Sequence, residues 1–528
     1  MIFASISMTL LALVALIYYR ASPGRRSQKL PEPPTVRTRV PIFGHIVCMF
    51  RYRKSYFQYL RDQSQLPIIT LPLVRSTVYA VFSIPTIQSI QRQNEAFAFQ
   101  PIQAWLSTTI CGVSEEAYRI LQRDMQQEHG QYGPIYSVMH GVLSPGDRLN
   151  EMNTVFVDRL CDYIRGIEPG TSIKLNEWVK HRITLAVTDT TYGPYNPFRE
   201  IEVESAFWAF ERAVPSLVLL PQWFSTRGIR NRKVVADAFQ RYFLNGHHEH
   251  ASALVKDLYT IECPYGFSPS DRSFLEVGNA FASLSNTYAA VFWLTFHVFS
   301  SPEALRRIRK EVSGITTTSM NKTRDNQTFR HTLDITRVNS HCPLLVSTFK
   351  ETLRLHSADI SLRQVCKDTV LDNTYYLKKG AMIVIPSTSI HTDSRIWGPD
   401  VLSFIHDRFL PTKVSATQRK KVSPAALRSF GGGASLCPGR HLATNQIMIW
   451  ISMLVMRFDI EPTSGSWDQP ATDKSNMPSS IMSATHDVEV RFTPRRFYND
   501  GIWDLRTSKS EATLSLIAED LADDPKVE

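Results

Sequence analysis

With 528 residues, 43% hydrophobic and 11% aromatic, the chain is too long for a small module and rich enough in apolar residues for a sizeable core. A formal net charge of +10 leaves nucleic acid, an anionic membrane face or an acidic partner open, but no Lys/Arg run interleaves with aromatics, which sets nucleic acid aside. Seven scattered cysteines, with no C-x-x-C and no metal-finger spacing, argue against a disulfide framework and for a reducing compartment.

Ile2 to Tyr19, "IFASISMTLLALVALIYY", carries no charge. At about 1.5 Å per residue such a run nearly crosses a ~30 Å hydrocarbon core. A cleaved signal peptide would want basic residues before the apolar run, yet Arg20, Arg25, Arg26 and Lys29 follow it. The positive-inside rule then puts the body in the cytosol, and Tyr18 and Tyr19 suit the interface. In that topology the sequons at Asn321 and Asn326 never meet the glycosylation machinery. Residues 1–19 are read as a single-pass anchor and 20–45 as a basic, Pro-rich hinge, since "LPEPPTVRTRVPIFGH" resists helix.

The stretch Ile68 to Ile87, rich in Val, Ile, Thr and Tyr, predicts short strands. From about Asn94 to Arg330 the patterns predict helices, with loops near Pro145-Gly146 and Pro264 to Asp271. Val277 to Pro302 holds no Asp, Glu, Lys or Arg over 26 residues. A second membrane span is one reading. Asn279, Ser283, Asn286 and Thr287 instead place a polar stripe on one face, which predicts a core helix whose stripe borders a cavity or cofactor. "KETLRLH" sets Glu351 and Arg354 three apart, on one helix face. Strand patterns return in "QVCKDTVL" and "TYYLKKGAMIVIP", and "HLATNQIMIWISMLVMRF" predicts a helix. The fold class expected is mainly α with small β-sheets, after one N-terminal transmembrane helix. Residues 46–495 form the body and 496–528 an acidic-ended tail.

Between the last strands and that helix runs "FGGGASLCPGR", Phe430 to Arg440. A buried structural cysteine in a glycine turn is the plain reading. A phosphate loop fails, because no Gly-Lys-Ser/Thr follows and no strand feeds a G-x-G-x-x-G. The glycines let backbone lie flat against something broad, and Pro438-Gly439 turns the chain into a helix. Amides at that turn can point at a Cys437 thiolate and lower its pKa. A thiolate so held is a good axial ligand for haem iron and favours O–O cleavage.

This stretch resembles the haem-binding signature of the cytochrome P450 family, with Phe430, Gly433, Cys437 and Gly439 matching and Ser435 standing where a basic residue is usual. The "HTDSRIWGPDVLSFIHDRFL" segment is similar to the family segment ending in Pro-Glu-Arg-Phe, with His406 and Asp407 replacing its first two residues. The resemblance implies that Arg408 joins Glu351 and Arg354 in a buried structural network. It implies that Arg363 contacts a propionate of haem b and that Cys437 is the axial iron ligand. On the oxygen-side helix the window Ala282 to Thr287 lacks the usual acid, with Ser285 in its place and Asn286 at the first threonine position. "SNTYAAVFW" is closer to the clan of sterol 7α-hydroxylases and prostacyclin synthase, and fungal secondary-metabolism members share its features. Asn286 and Thr287 are expected to order O₂ and proton-delivering water. The implied activity is a monooxygenase of the endoplasmic reticulum membrane, with its catalytic domain cytosolic. It would be served by NADPH-cytochrome reductase, with cytochrome b5 as an optional second donor, and act on an apolar, membrane-partitioned terpenoid, steroid, alkaloid or polyketide. A redox-neutral isomerase or lyase on the same scaffold, and a non-catalytic haem sensor, stay open.

Overall fold

The computed structural model describes residues 30–40, 44–73, 76–123, 132–165, 167–220, 222–323, 326–410, 422–476 and 479–506. The Ile2 to Tyr19 anchor lies outside these residues. The principal helices are α1 (Asp147–Ile164), α2 (Leu175–Tyr192), α3 (Ile201–Leu219), α4 (Thr226–Leu244), α5 (Ala253–Glu262), α6 (Pro269–Phe299), α7 (Pro302–Gly314), α8 (Pro343–His356) and α9 (Arg440–Arg457). The protein is mainly helical, with small sheets at the flanks.

The organising element is α6, 31 residues long. Ser268 caps it by accepting from the Asp271 amide at 3.0 Å, and Pro269 sits in the first turn, where no N–H is missed. It packs against α2, α4, α8 and α9. This surrounded position explains why its second half is apolar on nearly every face. Among the described residues no helix is long and apolar enough to cross a membrane; Val277 to Phe299 belongs to the core helix, and Pro302 begins α7.

The largest sheet has five strands in the order β1 (Ile68–Pro72), β2 (Thr77–Val81), β10 (Met382–Pro386), β7 (Ile360–Val365), β3 (Phe97–Ala98). β10 runs parallel to β2 and antiparallel to β7, which places Ile383 beside both Tyr79 and Arg363. The Pro-rich segment is extended and laid along β1, with Val36 N–H donating to Thr70 O at 3.0 Å. The run expected to be strand up to Ile87 stops at Val81, and Ile84–Gln91 is helical with Pro85 in its first turn.

The expected all-helical middle is interrupted by β4 (Ser172–Lys174) and by a hairpin of β5 (Thr316–Thr323) and β6 (Asn326–Asp334). β8 (Thr369–Leu371) pairs with β9 (Tyr375–Leu377), while β4 pairs with β12 (Glu489–Pro494), whose other neighbour is β11 (Phe458–Pro462). β13 (Ile502–Arg506) runs parallel to β6, so residues 496–506 fold onto the body. Asn321 and Asn326 lie in the hairpin near its turn.

Three histidines are buried where α6, α8 and the segment after β10 meet. His297 Nε2 and His356 Nε2 are 2.9 Å apart and so share one proton, and Trp293 stacks on His356 at 3.9 Å. His391 Nε2 accepts the Arg428 amide at 2.9 Å. Burial, and then nearby Arg354, pushes His356 and His391 down to about 3, and burial holds His297 well below the ordinary value. An unfolded histidine titrates near pH ~6.5. Above that pH neither state binds the protons and these groups add no pH dependence. Below it only the unfolded chain binds them, so stability falls as pH drops from ~6.5 toward ~3, at about 1.4 kcal/mol per pH unit for each group. Urea midpoints measured between pH 7 and pH 4 should fall, and His391→Gln should flatten the slope. A pH-independent midpoint would contradict the neutral buried pair.

Candidate active site

The thiol loop closes on itself. Cys437 N–H donates to Phe430 O at 3.0 Å and Leu436 N–H to Gly433 O at 2.9 Å. Gly431 and Gly433 have φ of +85° and +61°. A Cβ at Gly431 would lie 2.9 Å from Ser435 O, and one at Gly433 would lie 3.1 Å from the Gln91 side chain. Glycine is required at both on conformation and on space. Phe430 and Leu436 pack against the core that α6 and α9 share.

The Cys437 residue keeps part of its surface accessible, yet the protein packed around the thiol pushes its pKa up. The Gly439 amide and the Arg440 charge act in the opposite direction but are outweighed. The expectation that turn amides lower this pKa is met in the sign of their effect and not in the net result. A metal bound directly to sulfur would override this, because a coordinated metal deprotonates a thiol outright.

Arg363 reaches the same loop from β7. Its guanidinium donates to Gly432 O at 3.2 Å, to Leu362 O at 2.7 Å and to Ser435 Oγ. Ser435, which replaces the usual basic residue, thus supplies an oxygen to the arginine. These acceptors are all neutral, and Arg363 is 2% exposed. Burial, followed by the charge of buried Arg428, pushes Arg363 down to about 10. Two buried guanidiniums acting on each other favour an anion between them. Tyr136, which sequence reasoning missed, feels both Arg363 and Cys437 and donates to Gln103 Oε1 at 2.9 Å. A flat, dianionic iron macrocycle with a thiolate ligand satisfies this donor set.

Along α6, Ala282 is exposed and Asn279, Ser283 and Asn286 are partly so, although the helix is wrapped by other helices. This face therefore borders an interior opening. Asn286 Oδ1 accepts from the Ser480 and Ile481 amides at 2.8 and 3.1 Å and from Ser479 Oγ at 3.4 Å. Its oxygen is committed to the loop at 479–481. That loop is pinned from the other side by buried Lys54, which donates to Ser479 O, and by Ser480 Oγ donating to Asp359 Oδ1 at 3.0 Å. Thr287 is buried and donates to Ser283 O at 2.7 Å, and Ser283 donates to Ala280 O at 3.1 Å. Each hydroxyl spends its proton on the helix and keeps lone pairs to accept with.

Glu351, Arg354 and Arg408 are brought together behind the loop. Glu351 Oε2 accepts Arg354 Nε at 2.7 Å, and its Oε1 accepts Arg354 Nη2 and Arg408 Nε, both at 2.9 Å. Arg354 Nη1 also donates to His391 O and Val401 O at 2.7 and 2.8 Å. Arg408 Nη1 pairs with Asp400 Oδ1 at 2.9 Å, so two cations meet two carboxylates.

The family model described as Cytochrome P450 matches residues 273–490, which contain α6 from Ser273 onward, the arginine network and the thiol loop. "Cytochrome P450 monooxygenase nodJ" of Hypoxylon pulicicidum is 32% identical over 493 residues, covering 92% of this chain and 94% of that protein. A "Cytochrome P450 monooxygenase" of Gibberella zeae is 27% identical, covering 83% of each. "Cholesterol 7-alpha-monooxygenase" of Cricetulus griseus is 22% identical, covering 89% of this chain and 94% of that protein.

Proposed function

The chain belongs to the cytochrome P450 family of haem-thiolate monooxygenases, and from that premise we propose that it hydroxylates an apolar terpenoid, steroid, alkaloid or polyketide. The observation that carries this reading is a crowded glycine loop around one thiol, braced by the buried cation Arg363, in a chain whose central helix keeps a partly exposed, alcohol-lined face. The likeness to a protein named cholesterol 7-alpha-monooxygenase supports an apolar substrate.

In this reading haem b is held by Cys437, and when bound it supplies the O₂-activating chemistry. Phe430, Gly433 and Gly439 shape the loop beneath it. The Gly439 amide and Arg440 share the sulfur's charge. Arg363, braced on Ser435, takes a propionate. Asn286 fixes the 479–481 loop that roofs the substrate, and Thr287 and Ser283 offer lone pairs to proton-carrying water. Monooxygenases of this family use O₂ and a redox partner. We assign that role to NADPH-cytochrome reductase, with cytochrome b5 as an optional second donor, meeting a basic surface. Ile2 to Tyr19 would anchor the protein in the endoplasmic reticulum membrane, against lipid that stores the substrate.

One observation favours a second reading. α6 carries Ser285 in place of an acid, which an isomerase or lyase acting on an already oxygenated substrate would tolerate. Cofactor dependence separates the two. Product formation that needs NADPH, reductase and O₂ supports hydroxylation, and formation without them supports the isomerase. Under hydroxylation, Thr287→Val should keep NADPH consumption while product falls ~10²- to 10⁴-fold, the range for losing a proton-transfer group. Unchanged coupling would remove Thr287 from the proton path.

A further inference from the structure

Glu276 is buried near the N-terminal end of α6, ten residues before Asn286. Its carboxyl is held by two neutral donors: Tyr192 Oη donates to Oε1 at 2.8 Å and Asn279 Nδ2 to Oε2 at 3.0 Å. Among the described residues no lysine or arginine is ion-paired to it. The titratable groups that face it are Tyr192 on α2, Tyr242 on α4 and Glu262 at the end of α5, with Arg272 acting on Glu262. Burial raises the Glu276 carboxyl, and burial followed by Glu276 itself pushes Glu262 up to about 8. Glu276 is buried, its printed hydrogen bonds come from neutral donors and no cation is paired to it among the described residues, so burial favours its protonated form.

The position of this carboxyl gives it a use. Glu276, Asn279, Ser283 and then Asn286 and Thr287 follow one face of α6 at i, i+3, i+7, i+10 and i+11. Asn279 and Ser283 are partly exposed, and Ala282 beside them is exposed. Successive members are about one turn apart, roughly 5–6 Å, a gap that a single water bridges. Asn279 suits both charge states of its neighbour. Its NH₂ donates to the carboxylate, and after a half-turn of the amide its oxygen accepts from the carboxylic acid.

We infer that Glu276 stores the proton which the alcohols of α6 deliver and that Asn279 passes it on. In each cycle the O–H bond at Glu276 Oε2 breaks and its proton moves to water between Asn279 and Ser283, then toward Thr287. The Glu276 carboxylate then recovers a proton from solvent. The acid missing from the centre of α6 is thus supplied about three turns upstream. This inference rests on the monooxygenase activity and names a positioning group for it.

The test uses Glu276→Gln, which keeps the Tyr192 and Asn279 contacts, and Glu276→Asp, which keeps an acid. The first readout is independent of turnover: infrared spectra at neutral pH, where wild type should show a protonated-carboxyl band that Glu276→Gln lacks. The second is hydrogen peroxide released per NADPH consumed by the haem-loaded protein with reductase, together with the solvent deuterium effect on NADPH oxidation. Glu276→Gln should raise the peroxide ratio at least threefold and alter the solvent effect, with an unchanged reduced-carbonyl spectrum, and Glu276→Asp should recover part of the coupling. An unchanged carboxyl band, or an unchanged peroxide ratio in Glu276→Gln, overturns the inference. A wild-type protein that consumes no NADPH would instead overturn the monooxygenase reading itself and this inference with it.

Discussion

Arg354→Ala should lower stability by about 3–5 kcal/mol, the cost of breaking a buried ion pair by removing one partner. The guanidinium is fully buried and its hydrogen bonds reach Glu351, His391 O and Val401 O. Removal strands Glu351 with Arg408 as its remaining ion partner and unties the segments at His391 and Val401 from α8. Lysine keeps the charge but offers three donors on one nitrogen, which cannot span acceptors on three segments. Arg354→Lys should therefore also give a low soluble yield and poor haem incorporation. Soluble yield and the haem-to-protein ratio check both variants. A stable, haem-replete Arg354→Lys protein without activity would show that the network acts in chemistry and not in the fold.

Cys437→Ala should abolish the thiolate-type reduced-carbonyl spectrum and with it all NADPH-dependent oxidation. The substitution is mild for the fold. The loop is closed by backbone bonds, Cys437 N–H to Phe430 O among them, and by glycines that the change leaves untouched. The loss is chemical: alanine cannot carry the negative charge that Gly439 and Arg440 are placed to hold. A Cys437→Ala protein that keeps the thiolate-type spectrum would assign the iron ligand elsewhere.

The sequence displays this site unevenly, for physical reasons. Local signals read well. Gly431 to Gly433 before Cys437 mark a crowded turn, the E-x-x-R spacing marks one helix face, and the uncharged stretch from Val277 marks a helix surrounded by others. Signals that depend on distant partners do not. Asn286 reads as a free amide on an open stripe, yet its oxygen is taken by amides almost two hundred residues later. Lys54 reads as an ordinary surface cation, yet it is 3% exposed and holds Ser479 O. The β5–β6 hairpin was hidden because its threonine-rich run lacks the apolar alternation of a half-buried strand. The Ile84–Gln91 helix follows directly on strand-forming residues, and Pro85 was its one clear signal.

The strand β13 bears on how the protein could be shortened. It covers one edge of β6, places Trp503 in the main core and brings Phe497 O to His331 Nε2 at 3.0 Å. Gly501 lies so close to His331 that an added Cβ would come within 2.4 Å of its ring. A chain cut after residue 495 would bare a full row of β6 amides and carbonyls beside an emptied tryptophan pocket. Such an edge recruits a strand from another copy. Trimming intended to remove a dispensable tail would then yield oligomers built by strand exchange, and material cut after Arg506 should stay monodisperse where material cut after Arg495 does not.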